Sequence, residues 1–259
     1  MQQGDQCEGK KISEVKLEFM QADLSALPAL FQKYEKDSRS GVITICKQYR
    51  ARLEAHEKEL QRLDYMSQYE KQFKDYTYIC GIDEVGRGPL AGPVIACAVI
   101  LPKDCSILYI NDSKQLTEKK REELCDQIIS QAVAYGIGSV PPPRIDEINI
   151  LQATYEAMQK AILNLSVTPD LLLNDAVTIP GIDVKQIPII KGDTKSISIA
   201  AASIVAKVTR DRLMGAYDKV FPGYDFAENK GYGSQKHIEA IKELGLTPIH
   251  RKSFLKNII

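Results

Sequence analysis

Two apolar stretches separated by a polar interruption lie in the middle of the chain. Residues 78–80 and 94–101 are short, apolar and bounded by glycine or proline, a pattern that predicts two buried β-strands. Asp83 and Glu84 end the first stretch, and a tight turn follows them. Two adjacent carboxylates beside an apolar strand repel each other and lose solvation, which a bound divalent cation would offset. A solvated hairpin turn is the alternative, and for an isolated Asp-Glu pair it is the favoured one.

The first 74 residues show helical rather than strand periodicity. Five positions repeat at a 4-3-4-3 spacing, namely Tyr49, Leu53, His56, Leu60 and Leu63. This spacing predicts a long helix within 44–73, and a shorter helix is predicted over 24–34, interrupted at Pro28, with a turn at 38–41. We interpret residues 1–74 as a helical N-terminal extension. Its basic side chains either contact nucleic acid or, as the near balance of charges favours, form a solvated face.

Strand and helix patterns alternate in the rest of the chain. They predict strands at 107–110, 135–140, 171–173 and 187–190, a helix capped by Thr117, and helices over 151–165 and 196–221. Acidic residues end three of the predicted strands: Asp83 with Glu84, then Asp175, then Asp193. Ligand groups gather at strand ends in such sheets, so we expect these carboxylates to converge on a metal. A single strand-terminal Asp is usually a turn or cap residue, and Asp175 also fits the start of a loop.

Polar residues near the C-terminus suggest contacts with a phosphate backbone. Ser203, Lys207 and Arg210 share one face of the helix predicted over 196–221, where they suit successive phosphates, although a solvated basic face fits equally well. Tyr232 lies between two glycines and is either a platform for a sugar or base or an ordinary loop aromatic. Residues 250–254 form a basic tail.

The composition restricts the class of protein and the kind of metal site, but it does not identify a binding partner. The chain is 44% hydrophobic and 26% charged, as in ordinary globular proteins, and its net charge is zero. Residues 185–259 carry 13 Lys and Arg against 7 Asp and Glu, which permits a polyanionic ligand.

No apolar run approaches the ~20 residues of a membrane span. Six cysteines without a CxxC pair indicate reduced thiols in a cytoplasmic protein. The three histidines lie outside the acidic cluster, which favours Mg²⁺ or Mn²⁺ over zinc.

Several unusual segments occur together and in order along the chain. They are GIDEVGRGPLAGPV, DSKQLTEKKRE, IDEIN, KGDTKSISIAAASIVAKVTRDRLM, NKGYGS and HRKSF. Together they closely resemble bacterial type 2 ribonuclease H (ribonuclease HII), over about residues 78 to 259. The resemblance implies an α/β, RNase H-like fold at 75–259, with a central mixed β-sheet flanked by helices and a helical C-terminal region. The helical extension at 1–74 is similar to that of some bacterial members.

The resemblance also assigns residues to roles. It implies four catalytic, metal-binding carboxylates at Asp83, Glu84, Asp175 and Asp193. The family's glycine-arginine-glycine turn falls on Gly86, Arg87 and Gly88, and its substrate tyrosine falls on Tyr232. We also expect substrate contacts at Lys114, Ser203, Lys207 and Arg210. The sequence departs from the family at Asn174, where relatives usually have an apolar residue. That departure changes the residue just before the end of the predicted strand but leaves the acidic ligand, Asp175, in place.

The implied activity is endonucleolytic. Relatives of this type hydrolyse the RNA strand of RNA–DNA hybrids and cut 5′ of single ribonucleotides embedded in duplex DNA, leaving 5′-phosphates. Two Mn²⁺ or Mg²⁺ ions about 4 Å apart would activate the attacking water and stabilise the departing 3′ oxygen. We expect a monomer that removes ribonucleotides and RNA primers from DNA. A type 3 ribonuclease H is disfavoured because the Gly86-Arg87-Gly88 turn is intact and the N-terminal segment is helical. A metal-dependent nucleic-acid-binding module without catalysis is the alternative from another class.

Overall fold

The computed structural model describes residues 10–256, which divide into two compact units. The first ends at Arg62 and the second begins at Leu63. Within the described chain, no helix is both long enough and apolar enough to span a bilayer.

The N-terminal unit is helical, as its periodicity predicts. Its helices are α1 (Ile12–Gln21), α2 (Leu27–Lys33) and α3 (Ser40–Met66), and the last of these continues beyond the unit. Phe19 lies at the centre, with its ring centroid 5.8 Å from that of Phe31 and 5.1 Å from that of Tyr49. Pro28 does not interrupt α2 but lies in its first turn, where the missing N–H has no helical partner to lose. Helix α1 was not predicted from the sequence.

A five-stranded mixed sheet forms the centre of the second unit. Its strands are β1 (Ile79–Val85), β2 (Val94–Ile100), β3 (Ala134–Val140), β4 (Leu171–Asp175) and β5 (Gln186–Ile189), in the spatial order β3-β2-β1-β4-β5. Strand β2 runs antiparallel to β1 and β3, whereas β4 is parallel to both β1 and β5. The carboxyl ends of β1, β4 and β5 therefore meet at one edge of the sheet.

Helices cover the sheet. The second unit adds α4 (Gln68–Gln72), α5 (Glu118–Gln131), α6 (Pro142–Leu163), α7 (Ile197–Val220), α8 (Phe226–Asn229) and α9 (Gln235–Leu244). Strand β2 shows how both faces are buried: Cys97 and Val99 belong to the core beneath α7, whereas Ala96 and Ala98 belong to the core beneath α6. Burial on both faces explains why this strand is a continuous apolar run rather than an alternating one. The mixed sheet flanked by helices confirms the predicted fold class.

Two element predictions needed correction. Residues 107–110 are not a strand but an irregular segment, in which Ile107 and Ile110 fill the core and Tyr109 adopts a left-handed φ of 69°. Their apolar pattern reflects burial under the sheet rather than strand pairing. Helix α6 begins well before Leu151, but it is kinked at Asn149, where φ is 66°. The Asn149 side chain accepts hydrogen bonds from the Leu151 and Gln152 amides, so it caps the helical segment that the periodicity predicted.

Asn174, the departure from the family pattern, is fully buried within β4. Its amide donates to Gln186 Oε1 (2.7 Å), and Gln186 also bonds both the N–H and the C=O of Ile179. The polar side chain therefore joins β4 to β5 and to the loop between them. Asp175 remains the last residue of the strand.

Candidate active site

The predicted carboxylates lie at the sheet edge where the parallel strands end. Asp83 and Glu84 are within β1, because this strand continues to Val85, well beyond the apolar stretch at 78–80. Asp175 ends β4, and Asp193 lies in a short 3₁₀ turn, Gly192–Thr194, directly after β5. We call these four residues the carboxylate cluster. The parallel pairing of β1 with β4 and of β4 with β5 is what brings together residues far apart in sequence.

Asp83 is the deepest member of the carboxylate cluster, with 7% of its surface exposed. Burial raises the pKa of Asp83 well above its ordinary value, and the neighbouring charges of Glu84 and Asp175 raise it further. A hydrogen bond from Ser203 opposes this shift. The Oδ1 atom also accepts the Glu84 N–H at 2.7 Å. These donors fix the orientation of the carboxylate without neutralising it.

The remaining members differ in how their charge is balanced. Burial raises the pKa of Glu84, but Arg87 opposes the shift through an ion pair of 3.2 Å. Burial also raises the pKa of Asp193, with Asp175 adding to the rise and the nearby Lys114 opposing it. Asp175 accepts the Gly192 N–H at 2.8 Å, which ties β4 to the turn that carries Asp193.

The donor chemistry of the carboxylate cluster suits a hard divalent cation. Each member offers carboxylate oxygens, and their mutual repulsion raises pKa values that a bound cation would lower. The side chains do not form a closed cage as they stand: among residues 10–256, no group of three or more His, Cys, Asp or Glu is arranged to hold a metal ion. The cluster therefore fits Mg²⁺ or Mn²⁺ by charge and ligand type, and its side chains have to close on the ion.

The glycine-arginine-glycine turn, Gly86 to Gly88, follows β1 directly. Gly86 has φ 88°, and a Cβ there would lie 2.2 Å from Arg210 Nε, so only glycine fits. A Cβ on Gly88 would lie 3.8 Å from Tyr232 Cε1. The turn and the predicted substrate tyrosine are therefore neighbours, although they are remote in sequence. Tyr232 is 48% exposed, so its ring is available to a ligand.

The three polar residues predicted to share a phosphate-binding face on α7 are buried or already paired within the protein. Lys114 is exposed near Asp193, as a substrate contact requires. Ser203 is 5% exposed and bonds Ser113 Oγ at 2.9 Å, and Lys207 is paired with Asp211 at 2.7 Å. Arg210 is fully buried, and its guanidinium donates to backbone carbonyls. The structure gives a phosphate contact by Arg210 no support.

Three buried residues near the site were missed by the sequence analysis. His250 and Arg251 are not part of a solvated basic tail but are 3% and 0% exposed, and His237 is also fully buried. Arg251 bonds the carbonyls of Gly86 and Arg87, and His237 bonds that of Tyr232. The apolar residues Ile249 and Leu255, which flank this segment and are themselves buried, were the available signal.

Comparisons with known proteins agree with this architecture. The family profile "Ribonuclease HII" matches residues 80–257, and the profile "Ribonuclease HII N-terminal domain" matches residues 11–74. The chain is 63% identical to ribonuclease HII of Lachnoclostridium phytofermentans over 248 residues, covering 96% of this chain and 98% of that protein. It is 51% identical to ribonuclease HII of Clostridioides difficile over 252 residues, covering 96% and 99%. The solved ribonuclease H2 of Pyrococcus horikoshii OT3 is 29% identical with a TM-score of 0.57, covering 68% of this chain and 93% of that one.

Proposed function

The chain belongs to the ribonuclease HII family and is therefore a ribonuclease H, and we propose that it recognises the junction between a ribonucleotide and the deoxyribonucleotide on its 3′ side. Such an enzyme cuts 5′ of a single ribonucleotide embedded in duplex DNA as well as within RNA–DNA hybrids. The observation that carries this proposal is the proximity of Gly88 to Tyr232, where a Cβ would meet the tyrosine ring at 3.8 Å.

The glycine-arginine-glycine turn suits recognition of the ribose. Only the 2′-hydroxyl distinguishes a ribonucleotide sugar, so a protein group has to donate to it or accept from it. Gly86 and Gly88 have no side chain that would hold a sugar away from the backbone. The exposed Tyr232 ring beside Gly88 can then pack on the next sugar, where a second hydroxyl would be crowded. This arrangement favours deoxyribose on the 3′ side.

The carboxylate cluster is proposed to hold two divalent cations, Mg²⁺ or Mn²⁺. Cations held there would supply the chemistry of an activated water and would offset negative charge on the phosphate and the departing 3′ oxygen. Asp83, the most buried member of the carboxylate cluster, would be the central ligand, and Ser203 holds it in orientation. Arg87 is paired with Glu84, from which it can turn to a substrate phosphate. Lys114 offers a second positive charge beside Asp193.

We also propose the domain organisation and the setting in which the enzyme works. Residues 75–259 would form the catalytic domain of a monomer and residues 1–74 an accessory extension, whose last part from Leu63 onward packs with the catalytic domain. Among the described residues, Cys46, Cys80, Cys97, Cys105 and Cys125 are free thiols. Free thiols fit a reducing compartment such as the cytoplasm, where removal of ribonucleotides and RNA primers from DNA would take place.

Substitution of Tyr232 tests junction recognition directly. The measurement is kcat/KM, with Mn²⁺ added, on duplex DNA containing one ribonucleotide and on a long RNA–DNA hybrid. Tyr232→Ala should lower kcat/KM more on the single-ribonucleotide substrate, by about 10-fold or more if loss of stacking costs 1–3 kcal/mol. Tyr232→Phe keeps the ring and should be milder. Equal losses on the two substrates would remove Tyr232 from junction selection, and EDTA should abolish cleavage by every variant.

A further inference from the structure

We propose that His250 and Arg251 are positioning residues that hold the glycine-arginine-glycine turn against Tyr232 and so set the substrate selectivity. This inference rests on the proposed junction recognition. The two residues are 3% and 0% exposed, so they act without touching the substrate. Burying a guanidinium is costly unless its donors are used, and the groups that accept from Arg251 identify its role.

Arg251 binds the backbone on both sides of the turn. Its Nη1 donates to Arg87 O (2.8 Å) and its Nη2 to Gly86 O (2.5 Å). Its Nε and Nη2 also donate to Gly92 O at 2.9 and 2.8 Å, and its own N–H donates to Leu90 O at 2.8 Å. A planar guanidinium that engages three carbonyls at once fixes their relative positions. Arg251 thereby defines the shape of the loop that contains the turn.

Arg210 connects the same loop to the segment that carries Tyr232. Its guanidinium donates to Ala91 O (3.0 Å) and Pro93 O (3.1 Å), and also to Lys230 O (2.8 Å). The Gly231 carbonyl in turn accepts the Ala91 N–H at 3.2 Å. The two loops, one carrying the turn and the other carrying Tyr232, are therefore joined through their backbones.

The His250–His237 pair holds the carbonyl of Tyr232 itself. Because a carbonyl only accepts, His237 Nδ1 must donate to Tyr232 O (2.8 Å). Because an amide N–H only donates, His250 Nδ1 must accept from Thr247 N (2.9 Å). The two Nε2 atoms lie 3.1 Å apart, so His250 Nε2–H donates to an unprotonated His237 Nε2. This pattern of donors and acceptors makes both rings neutral with fixed tautomers, and burial lowers the pKa of each in agreement with it.

Two consecutive residues thus hold the two elements that are proposed to recognise the junction, the glycine-arginine-glycine turn and Tyr232. Arg251 holds the turn that approaches the ribose, and His250, through His237, holds the backbone of Tyr232. Loosening either connection should change the distance between the turn and the ring. A change in that distance should affect a substrate that needs both contacts more than a continuous hybrid.

Arg251→Lys is the first test, because lysine keeps the charge and loses the planar fork. The ratio of kcat/KM on the single-ribonucleotide substrate to that on the long hybrid should fall by about 10-fold or more, since a displacement of about 1 Å can cost as much as 100-fold. Arg212→Lys is the control. Arg212 lies on α7, its side chain is 54% exposed and paired with Glu122 and Asp126, and its replacement should leave the ratio unchanged.

Two substitutions of His237 form a matched pair that separates positioning from general destabilisation. In His237→Asn the amide nitrogen takes the place of Nδ1 and keeps the bond to Tyr232 O, whereas the bond to His250 is lost. In His237→Gln the amide takes the place of Nε2 and keeps the bond to His250, whereas Tyr232 O loses its donor. Each variant loses one buried hydrogen bond, so their Tm values should fall similarly. Selectivity should fall more in His237→Gln.

Amide hydrogen exchange decides the inference independently of substrate preference. Arg251→Lys should speed exchange at residues 86–93 and His237→Gln at 230–234, while Arg212→Lys should match the wild type in both segments. Unchanged exchange and an unchanged selectivity ratio in Arg251→Lys and His237→Gln would overturn the inference. A wild-type enzyme without junction preference would instead contradict the proposed function, and the exchange measurement would still show whether the two loops are held as inferred.

Discussion

At the residue scale, the candidate site contains buried charges of both signs, in the carboxylate cluster and beneath the glycine-arginine-glycine turn. Burial is the first cause of the raised pKa of Asp83 and of the lowered pKa of Arg251, which falls to about 9. The two residues differ in their compensation. Arg251 has backbone carbonyls for its donors, whereas Asp83 faces other carboxylates. The carboxylate cluster therefore lowers the stability of the protein unless a cation is bound.

Removing one charge from the carboxylate cluster should stabilise the fold and abolish function. Asp83→Asn keeps the shape, and without divalent cations it should raise Tm by a few degrees, at about 2–4 °C per kcal/mol for a chain of this size. Cleavage should fall by several orders of magnitude, because a proposed metal ligand is lost. Thermal unfolding with EDTA or with Mg²⁺ measures the first effect, and added Mg²⁺ should stabilise the wild type more than the variant.

The matched control is Asp104→Asn, at an exposed aspartate outside the carboxylate cluster. It should change neither Tm nor cleavage. A lower Tm for Asp83→Asn in EDTA would contradict the view that the buried carboxylate destabilises the metal-free protein.

The neutral histidine pair predicts a loss of stability in acid. Burial and the neighbouring His237 lower the pKa of His250 to about 4, whereas a histidine in the unfolded chain titrates near 6.5. The stabilisation is complete above pH about 6.5 and is lost as the pH falls towards 4, because only the unfolded state takes up the proton in that interval.

Denaturant unfolding between pH 7 and 4.5 measures this dependence. His250→Gln should lose less unfolding free energy across the interval than the wild type does. His56→Gln, at a partly exposed histidine on α3, should keep the wild-type slope. An identical slope in all three proteins would exclude His250 as a source of acid sensitivity.

At the element scale, the approach of α7 to β1 determines where the carboxylate cluster can form. A Cβ on Gly81 would lie 2.0 Å from the Ser198 carbonyl carbon and 2.4 Å from Ile199 N, so the helix backbone rests directly on the strand. The N-terminus of α7 is fixed there by Ser196, which caps Ile199 N, and by Glu70, which accepts from Ser196 Oγ at 2.6 Å. This contact places Ser203 beside Asp83.

Two glycine substitutions test this contact in opposite directions. Gly81→Ala should push α7 off β1, lowering stability by about 1–3 kcal/mol as other overpacked cores do, and should lower cleavage by moving Ser203 from Asp83. Gly215→Ala is the control in the same helix. Its Cβ meets nothing within 4 Å, so helix propensity should raise stability by about 0.5–1 kcal/mol with cleavage unchanged. Full activity of a stable Gly81→Ala variant would contradict this role of the contact.

At the scale of the whole molecule, residues 63–73 belong structurally with the second compact unit. Leu63 and Met66 are buried in the same core as Cys97, and Glu70 bonds Ser196 Oγ and Ser198 N. The predicted domain boundary at residue 74 therefore passes between groups that contact one another. The compact units instead divide between Arg62 and Leu63, inside α3.

Two truncated chains distinguish these boundaries. A chain beginning at Leu63 should fold and keep its cleavage chemistry, with any loss confined to substrate affinity and reduced at low salt, where phosphate contacts strengthen. A chain beginning at Lys74 loses the Leu63 and Met66 side chains from the core and the Glu70 cap, so it should show a markedly lower Tm. Equal Tm and kcat/KM for the two chains would support the boundary predicted at residue 74.

The sequence alone predicted the features that depend on local pattern. Apolar runs located the five strands, and the helix starting after Thr117 was identified by its capping residue, which accepts the Lys120 N–H. The acidic residues at the ends of β1 and β4, and Asp193 after β5, were recognisable because a charged residue interrupts each buried run or follows it closely. Periodicity and capping involve neighbours a few residues apart, so a single sequence contains them.

Only the tertiary structure decided which charged residues are buried. Arg210 and Arg251 occur in sequence contexts that suit a phosphate contact and a basic tail, yet both are fully buried. Their partners are remote: Arg251 bonds Gly86 across 165 positions and Arg210 bonds Pro93 across 117. A buried charge is tolerated only where such acceptors surround it. Folding of the chain brings those acceptors to the arginines, and the residues next to each arginine in the sequence do not indicate them.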